Sequence, residues 1–139
     1  MTEIEKKILI IDDDRDIRES LKLKLELEGF VPIVVDSGEK AIELVKENDF
    51  FLVLSDIAMP DMNGYEVFEK IKQIKPELPV VLMTAFGYDP SHAIIKAKKL
   101  GLYKWIAKPI SDKKLKEIIN TALHFYKLRH QNNQNDIND

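Results

Sequence analysis

Five short apolar runs divide the chain, and each is followed by a segment whose apolar residues recur at helical spacing. Continuous apolar runs of this length are typical of strands that are buried on both faces of a parallel sheet. The runs predicted as strands are residues 8–11, 30–35, 50–54, 80–83 and 105–107. Pro32 cannot donate a hydrogen bond to a neighbouring strand, so the second strand is predicted at the edge of the sheet.

The segments between the runs are predicted as amphipathic helices. In the first, Ile17, Leu21 and Leu25 recur every four residues, and Leu23 and Leu27 are predicted to widen this apolar stripe. Glycine, proline and serine residues mark where the helices begin and end. The first helix is predicted to end before Gly29, and the others to open at Gly38, to run through Val67–Ile74, to follow Asp89 and Pro90 as far as Gly101, and to run from Ser111 to about His130.

Five strand–helix units in succession predict an α/β fold. The predicted architecture is a single doubly wound, five-stranded parallel sheet in the order 2-1-3-4-5, with helices on both faces. This order also explains a proline in strand 2, because it places that strand at the edge.

Polar residues follow four of the predicted strands. In a doubly wound sheet, ligands bind outside the carboxyl ends of the strands where the strand order reverses, which here is between strands 1 and 3. Asp12 and Asp13 follow strand 1, Asp56 follows strand 3, and Thr84 and Lys108 follow strands 4 and 5. Each residue alone is ordinary, but together they predict a site at this rim.

Three carboxylates in one crevice predict a bound cation. Like charges this close favour protonation of one carboxylate or binding of a metal ion, and hard oxygen ligands suit Mg²⁺. A calcium loop beginning at Asp12 is excluded, because Ile17 stands where that loop needs glycine and Leu23 where it needs glutamate.

With a cation bound, one carboxylate could accept a phosphoryl group. Lys108 would supply a second positive charge, and the Thr84 hydroxyl could bind the transferred oxygens. The sequence contains neither of the two glycine-rich phosphate-loop motifs, so a nucleotide is not the obvious donor.

Composition restricts the class of protein without naming a function. The 139 residues carry a formal net charge of −3, which gives no support to direct nucleic-acid binding. The absence of cysteine excludes a disulfide framework and a thiol nucleophile. Neither a membrane-spanning run nor a signal-type apolar stretch is present, and the expectation is a cytoplasmic domain without a membrane partner.

Lysine is concentrated late in the sequence. Residues 96–116 contain eight lysines and one acidic residue, Asp112. This stretch is either a solvated helical face or a docking surface for an acidic partner, and the pattern alone leaves both open.

Over about residues 6–127 the chain resembles the receiver domain of two-component response regulators. The matching motifs are Ile10–Asp14 (IIDDD), Asp56–Gly64 (DIAMPDMNG), Met83–Ala85 (MTA) and Lys108–Pro109, in this order. The resemblance implies a flavodoxin-like fold and a phosphorylation-dependent signalling switch. It implies that Asp56 accepts a phosphoryl group from a sensor histidine kinase, and that the domain catalyses its own phosphorylation and dephosphorylation without being an enzyme in the usual sense.

The resemblance also implies a role for each site residue. Asp13, Asp56 and the backbone carbonyl of Ala58 would bind Mg²⁺ directly, and Asp12 would act mainly through water. Lys108 would contact the phosphoryl group, and its bond to Pro109 is expected to be cis.

A conformational switch is implied as well. Thr84 would move toward the phosphoryl group, and Trp105 would turn inward behind it, although the family more often has tyrosine or phenylalanine there. The change would reach the face formed by the fourth predicted helix, the fifth strand and the last helix, which contains the lysine-rich stretch.

Two other functions are weighed against the switch. A phosphohydrolase of the haloacid dehalogenase type also uses Asp, Mg²⁺, Thr and Lys, but Asp16 stands where its motif needs threonine or valine. A receiver-like scaffold that is never phosphorylated would not need all five site residues. Residues 128–139 are expected to be a polar tail or the start of a linker. The output partner or domain is unknown, and a phosphorylation-linked homodimer is an open expectation.

Overall fold

The computed structural model describes residues 6–85, 95, 97–99, 101 and 104–138, with side chains as far as residue 129. Within these residues the sheet is parallel and has the strand order β2-β1-β3-β4-β5. The strands are β1 (Lys7–Ile11), β2 (Val31–Val35), β3 (Leu52–Asp56), β4 (Val80–Thr84) and β5 (Lys104–Ala107). The predicted topology is confirmed, and Pro32 lies on the edge strand, where it is aligned with Ile8 of β1.

The third strand begins two residues later than its apolar run predicts. Phe50 and Phe51 are buried but precede β3, although the Phe51 N–H donates to the Lys7 carbonyl at 3.1 Å. Apolar character reports burial and not pairing, so the run 50–54 begins two residues before the paired segment. The shift places Asp56 inside the strand as its last residue.

Three helices connect these strands: α1 (Arg15–Leu27), α2 (Gly38–Glu47) and α3 (Gly64–Ile74). Apolar residues of α2 and α3 form one core cluster with strand residues such as Leu9 and Leu82. Helix α1 contacts β2, and its buried Leu21 and Leu25 do not belong to that cluster. Because strand side chains alternate between faces, α1 covers the other face of the sheet.

The stripe on α1 is narrower than predicted. Leu23 and Leu27 are exposed, so the expectation that they widen the stripe is wrong. Leu23 lies two residues from Leu21, which is about 200° around a helix of 3.6 residues per turn, and it therefore faces away. The predicted end of the helix is confirmed, because Gly29 has φ of 89° just after the cap residue Glu28.

The fourth predicted helix lies mostly outside the described residues, and this includes its expected start at Asp89 and Pro90. Residues 95 and 97–99 are helical. Gly101 has φ of 90°, and its N–H donates to the Lys98 carbonyl at 3.1 Å, as expected for a glycine that ends a helix.

The chain divides into two compact units, one up to Pro109 and one from Ile110. The second contains the C-terminal helix (Asp112–Asn138), whose start is capped as predicted by the Ser111 hydroxyl, which accepts from the Lys114 N–H at 3.1 Å. The helix extends eight residues beyond the predicted end at His130. That stretch contains no glycine or proline to stop it. None of the helices in the described part of the chain is both long enough and apolar enough to span a bilayer.

Candidate functional site

The site lies at the rim of the sheet where the carboxyl ends of the strands meet. Asp12 follows the last residue of β1, and Asp56 and Thr84 are the last residues of β3 and β4. The strands are in register here, with Asp56 beside Met83 and Thr84 beside Ala107. This register brings together side chains that are far apart in the sequence, as the predicted strand order requires.

Lys108 joins the two buried carboxylates. Its Nζ lies 2.6 Å from Asp12 Oδ2 and 3.3 Å from Asp56 Oδ1. The side chains are 13%, 0% and 7% exposed respectively, so these ion pairs are largely shielded from water. A buried charge without a partner would be costly, and the cation offsets that cost for both acids.

The two carboxylate oxygens of Asp12 have different partners. Its Oδ1 accepts from the Asp14 N–H at 2.9 Å. Its Oδ2 is buried and lies 2.6 Å from the Lys108 ammonium, which is its one close polar contact among the described residues. A buried carboxylate oxygen of this kind retains a lone pair for a cation or an ordered water.

Asp13 completes a group of three acids that fits a metal ion. Carboxylate oxygens of Asp12, Asp13 and Asp56 lie within 4.8 Å of one another. Asp13 is exposed while the other two are buried, so the group opens to solvent on one side only. All the donors are hard oxygens, and one ammonium does not balance three carboxylates. The donor set therefore fits a small, hard divalent cation.

Burial and charge alter the pKa values of the paired groups. Burial raises the pKa of Asp56, and the negative charge of Asp12 adds to this effect. Lys108 and the N–H of Ala58 oppose it, and the resulting pKa is about 6. For Lys108, burial lowers the pKa, but the contacts with Asp12 and Asp56 outweigh burial, so the pKa lies above its ordinary value.

Thr84 lies beside this group, and its hydroxyl faces the next strand. The hydroxyl donates to the Ile106 carbonyl at 3.4 Å, and the Thr84 carbonyl accepts from the Lys108 N–H at 2.7 Å. The Lys108–Pro109 bond is cis, as the resemblance implies. Thr84 is therefore linked to the lysine through the main chain.

Trp105 lies apart from the buried carboxylates. It is on β5, next to Leu82 of β4, and its side chain is 40% exposed. Its neighbour Ile106 is buried, as expected for a strand whose side chains alternate. The ring is not turned inward in this structure.

The β3–α3 loop (residues 57–63) is fixed at its base. The Gly64 N–H donates to the Ile57 carbonyl at 2.6 Å. A Cβ on Gly64 would lie 2.5 Å from the Asp56 carbonyl oxygen, so only glycine allows α3 to begin this close to the strand. Ala58 lies in this loop, two residues after Asp56, and is exposed.

Asp61 makes a contact with α2 that was not predicted from the sequence. Its Oδ1 accepts from the Gly38 N–H at 3.4 Å and its Oδ2 from the Glu39 N–H at 3.2 Å. The carboxylate thus ties the β3–α3 loop to the N-terminus of α2. An aspartate in a loop gives no local signal of a partner 23 residues away.

Arg18 is the second residue that was missed. Its Nη1 donates to the Asp12 carbonyl at 2.8 Å. A signal was present, because Arg18 lies three residues before Leu21 and seven before Leu25, on the face of α1 that is buried. A cation in line with an apolar stripe needs a partner beneath it.

Comparison with known proteins identifies the family. A family model described as the response regulator receiver domain matches residues 8–120. The chain belongs to this family. Among solved structures, a CheY-like receiver domain protein from Methanospirillum hungatei JF-1 superposes with a TM-score of 0.83 at 31% identity, covering 89% of this chain and 98% of that one.

Two of the similar curated proteins are named as transcriptional regulatory proteins. The chain is 34% identical over 131 residues to the transcriptional regulatory protein CpxR of Escherichia coli K12, covering 93% of this chain. It is 30% identical over 116 residues to the transcriptional regulatory protein GlrR of the same strain, covering 84% of this chain. The matches span 55% of CpxR and 26% of GlrR, so the similarity covers only part of each relative.

Proposed function

We propose that this receiver domain is a phosphorylation-dependent signalling switch in which Asp56 accepts a phosphoryl group from a phosphohistidine on a sensor histidine kinase. The observation that carries the proposal is the Lys108 ammonium between the buried carboxylates of Asp12 and Asp56, 2.6 and 3.3 Å away. A cation beside a carboxylate nucleophile reduces the repulsion that an incoming phosphoryl group would meet.

The chemistry is the transfer of one phosphoryl group between two side chains. An oxygen lone pair of the Asp56 carboxylate forms the new bond to phosphorus as the phosphorus–nitrogen bond of the phosphohistidine breaks. The imidazole leaves with that electron pair and takes up a proton when it leaves as neutral histidine. Lys108 stabilises charge on the transferred oxygens, and the Thr84 hydroxyl turns from Ile106 to bind one of them.

The acidic group would hold Mg²⁺, through Asp13, Asp56 and the carbonyl of Ala58, with Asp12 acting through water. The bound ion would supply positive charge that neutralises the phosphoryl oxygens. The distance of at most 4.8 Å between oxygens of the three carboxylates and the exposed position of Asp13 support this assignment.

The conformational change that follows phosphorylation would pass through Thr84 and Trp105. It would reach the face that the fourth predicted helix, β5 and the C-terminal helix are proposed to form. Trp105, partly exposed here, would then turn inward.

A solved relative is a beryllofluoride-activated NtrC4 receiver domain dimer, 30% identical with a TM-score of 0.78, which supports a phosphorylation-linked homodimer. A cytoplasmic location belongs to the proposal, since GlrR and CpxR, two of the similar curated proteins, are named as transcriptional regulatory proteins. The domain would phosphorylate and dephosphorylate itself without turning over a separate substrate.

The test is the intact mass of the protein after incubation with acetyl phosphate, with Mg²⁺ or with a chelator. We expect the wild type to gain one phosphoryl group only with Mg²⁺, and Asp56→Asn to gain none. Asp16→Asn is the matched control, because Asp16 is an exposed acid of the same rim that is not a member of the acidic group. It is expected to label like the wild type.

The outcome also separates the alternatives. An adduct that forms equally on Asp56→Asn contradicts the proposed acceptor. Steady hydrolysis of p-nitrophenyl phosphate by the wild type would favour a phosphohydrolase. Failure to form any adduct, with acetyl phosphate or with a phosphorylated kinase, would leave the scaffold function.

A further inference from the structure

Arg18 holds the main chain between two of the proposed metal-binding acids. It lies in the first turn of α1, and side chains on a helix point back toward its N-terminus. Its guanidinium therefore reaches the Asp12 carbonyl, to which it donates at 2.8 Å. This carbonyl belongs to the peptide group that joins Asp12 to Asp13.

The other polar groups of Asp12 have different partners. Its N–H donates to the Val35 carbonyl at 3.2 Å, its Oδ1 accepts from Asp14, and its Oδ2 lies beside Lys108. With Arg18 on the carbonyl, the orientation of the whole residue is determined. The carbonyl is also the first after β1, where the ladder no longer supplies a donor.

Asp13 depends on this anchor more than Asp12 does. Its side chain is exposed, whereas Asp12 and Asp56 are buried and therefore held by their surroundings. The orientation of the peptide group that precedes Asp13 limits the directions that its carboxylate can take. Arg18 sets that orientation from α1, a different element from the strand that carries the acids.

We propose that Arg18 is a positioning residue that aims Asp13 at the cation site. The inference rests on the proposed function insofar as that function requires Mg²⁺. Arg18 would not touch the cation or the phosphoryl group. It would act only through the peptide group between Asp12 and Asp13, and so belongs to the outer shell that orients metal ligands.

This role and plain electrostatics predict opposite results. Arg18 is a positive charge near a site for a positive ion, so its charge alone weakens Mg²⁺ binding. Removing the charge should tighten Mg²⁺ binding if charge is all that matters. Removing the anchor should weaken it.

The experiment is a calorimetric titration of the whole chain with MgCl₂. We expect Arg18→Met, which keeps the apolar stem and loses the donors, to bind Mg²⁺ about tenfold more weakly than the wild type. Arg18→Lys keeps the charge and one donor and is expected to recover most of the affinity. Arg15→Met is the matched control, because Arg15 opens the same helix but pairs with Glu19 at 3.0 Å and not with Asp12. It is expected to bind as tightly as the wild type or more tightly.

Arg18→Met binding as tightly as the wild type, or more tightly, overturns the inference. If this variant is unfolded at the assay temperature, Arg18→Gln is titrated under the same criterion. Equal losses in the Arg18 and Arg15 variants also overturn it, because no specific anchor would be needed. A wild type that binds Mg²⁺ but forms no phosphoryl adduct refutes the proposed function and leaves this inference standing. A wild type that binds no Mg²⁺ refutes both.

Discussion

The ionised form of Asp56 is destabilised in the folded protein, because the side chain is buried beside another acid. Lys108 reduces this cost but does not remove it, and the pKa of Asp56 remains raised to about 6. A group with a raised pKa is easier to protonate in the folded state, so its ionised form at neutral pH opposes folding. Functional sites commonly hold groups in this state.

Asp56→Asn is expected to stabilise the metal-free protein at pH 7. The folded pKa of about 6 lies above the value of about 3.9 for an unfolded aspartate. The stabilising contribution of Asp56 is therefore fully present below about pH 3.9 and is lost as the pH rises through 6. The variant lacks this loss, so its free energy of unfolding should exceed that of the wild type by about 3 kcal/mol at pH 7. Urea unfolding with a chelator at pH 4.5 and pH 7 measures the difference.

The control for this measurement is Asp49→Asn. Asp49 is exposed and pairs with Lys75 at 2.9 Å on the surface, so its replacement should change stability little at either pH. A gain for Asp56→Asn that is the same at both pH values would show that the raised pKa is not its source.

At this scale the sequence predicted which side chains come together at the rim of the sheet but not what orients them. The rule that ligands bind at the carboxyl ends of strands selects the residues at or just after those ends, which are Asp12, Asp13, Asp56, Thr84 and Lys108. The partners of Arg18 and Asp61 are a carbonyl and two amides. Such partners carry no side-chain identity, so the pattern of α1 can indicate that Arg18 needs a partner but not which group that partner is.

At the scale of elements, two glycines bring helices close to their neighbours in different ways. A Cβ on Gly64 would lie 2.5 Å from the Asp56 carbonyl oxygen and 2.7 Å from Ile57 Cα, which are main-chain atoms. A Cβ on Gly38 would lie 2.5 Å from Met62 Cγ and 2.7 Å from Val67 Cγ2, which are side-chain atoms. The first clash requires movement of the main chain, whereas the second requires movement of the flexible Met62 side chain and of the stiffer, buried Val67 side chain.

Gly64→Ala is therefore expected to destabilise the protein more than Gly38→Ala. Overpacking against the main chain should cost on the order of 2–3 kcal/mol, since α3 or the end of β3 must move. The Gly38 variant should cost less, because the clashing atoms belong to the side chains of Met62 and Val67 and not to the main chain. Urea unfolding of the two variants under identical conditions measures both. An equal or reversed order would mean that the end of β3 yields more easily than the Met62 side chain.

Element boundaries were predicted with uneven success for a physical reason. Caps have local chemistry, and the predicted cap at Ser111 and the predicted helix end at Gly29 are confirmed. The predicted start of β3 was two residues too early. The run 50–54 records burial, whereas pairing is determined by the neighbouring strands. The C-terminal helix was longer than predicted, because its polar end contains no residue that stops a helix.

At the scale of the whole molecule, the stability of the fold is expected to depend on whether the proposed cation site is occupied. The three acids come from the ends of two strands, and their repulsion acts across the centre of the sheet. A ligand that binds only the folded state stabilises it in proportion to the logarithm of its concentration. Metal binding should therefore be visible in unfolding of the entire first unit.

Mg²⁺ is expected to raise the melting temperature of the wild type. At a concentration one hundred times the Kd, the gain in the free energy of unfolding is about 2.7 kcal/mol. Asp13→Asn should lose most of this gain while melting like the wild type without metal, because Asp13 is exposed. Asp16→Asn should retain the gain. Thermal melts with MgCl₂ and with a chelator supply the measurement, and a full gain in Asp13→Asn would remove Asp13 from the site.

The hydrogen bonds from the Gly38 and Glu39 amides to Asp61 allow these amides of α2 to report on the β3–α3 loop. Amides in the first turn of a helix have no partner inside the helix and normally exchange hydrogen with water rapidly. Those of Gly38 and Glu39 are instead held by a carboxylate from the β3–α3 loop. Their exchange rates therefore record how often that loop detaches. An event at Asp56 can thus be observed by NMR from residues on a separate helix, without any label in the site itself.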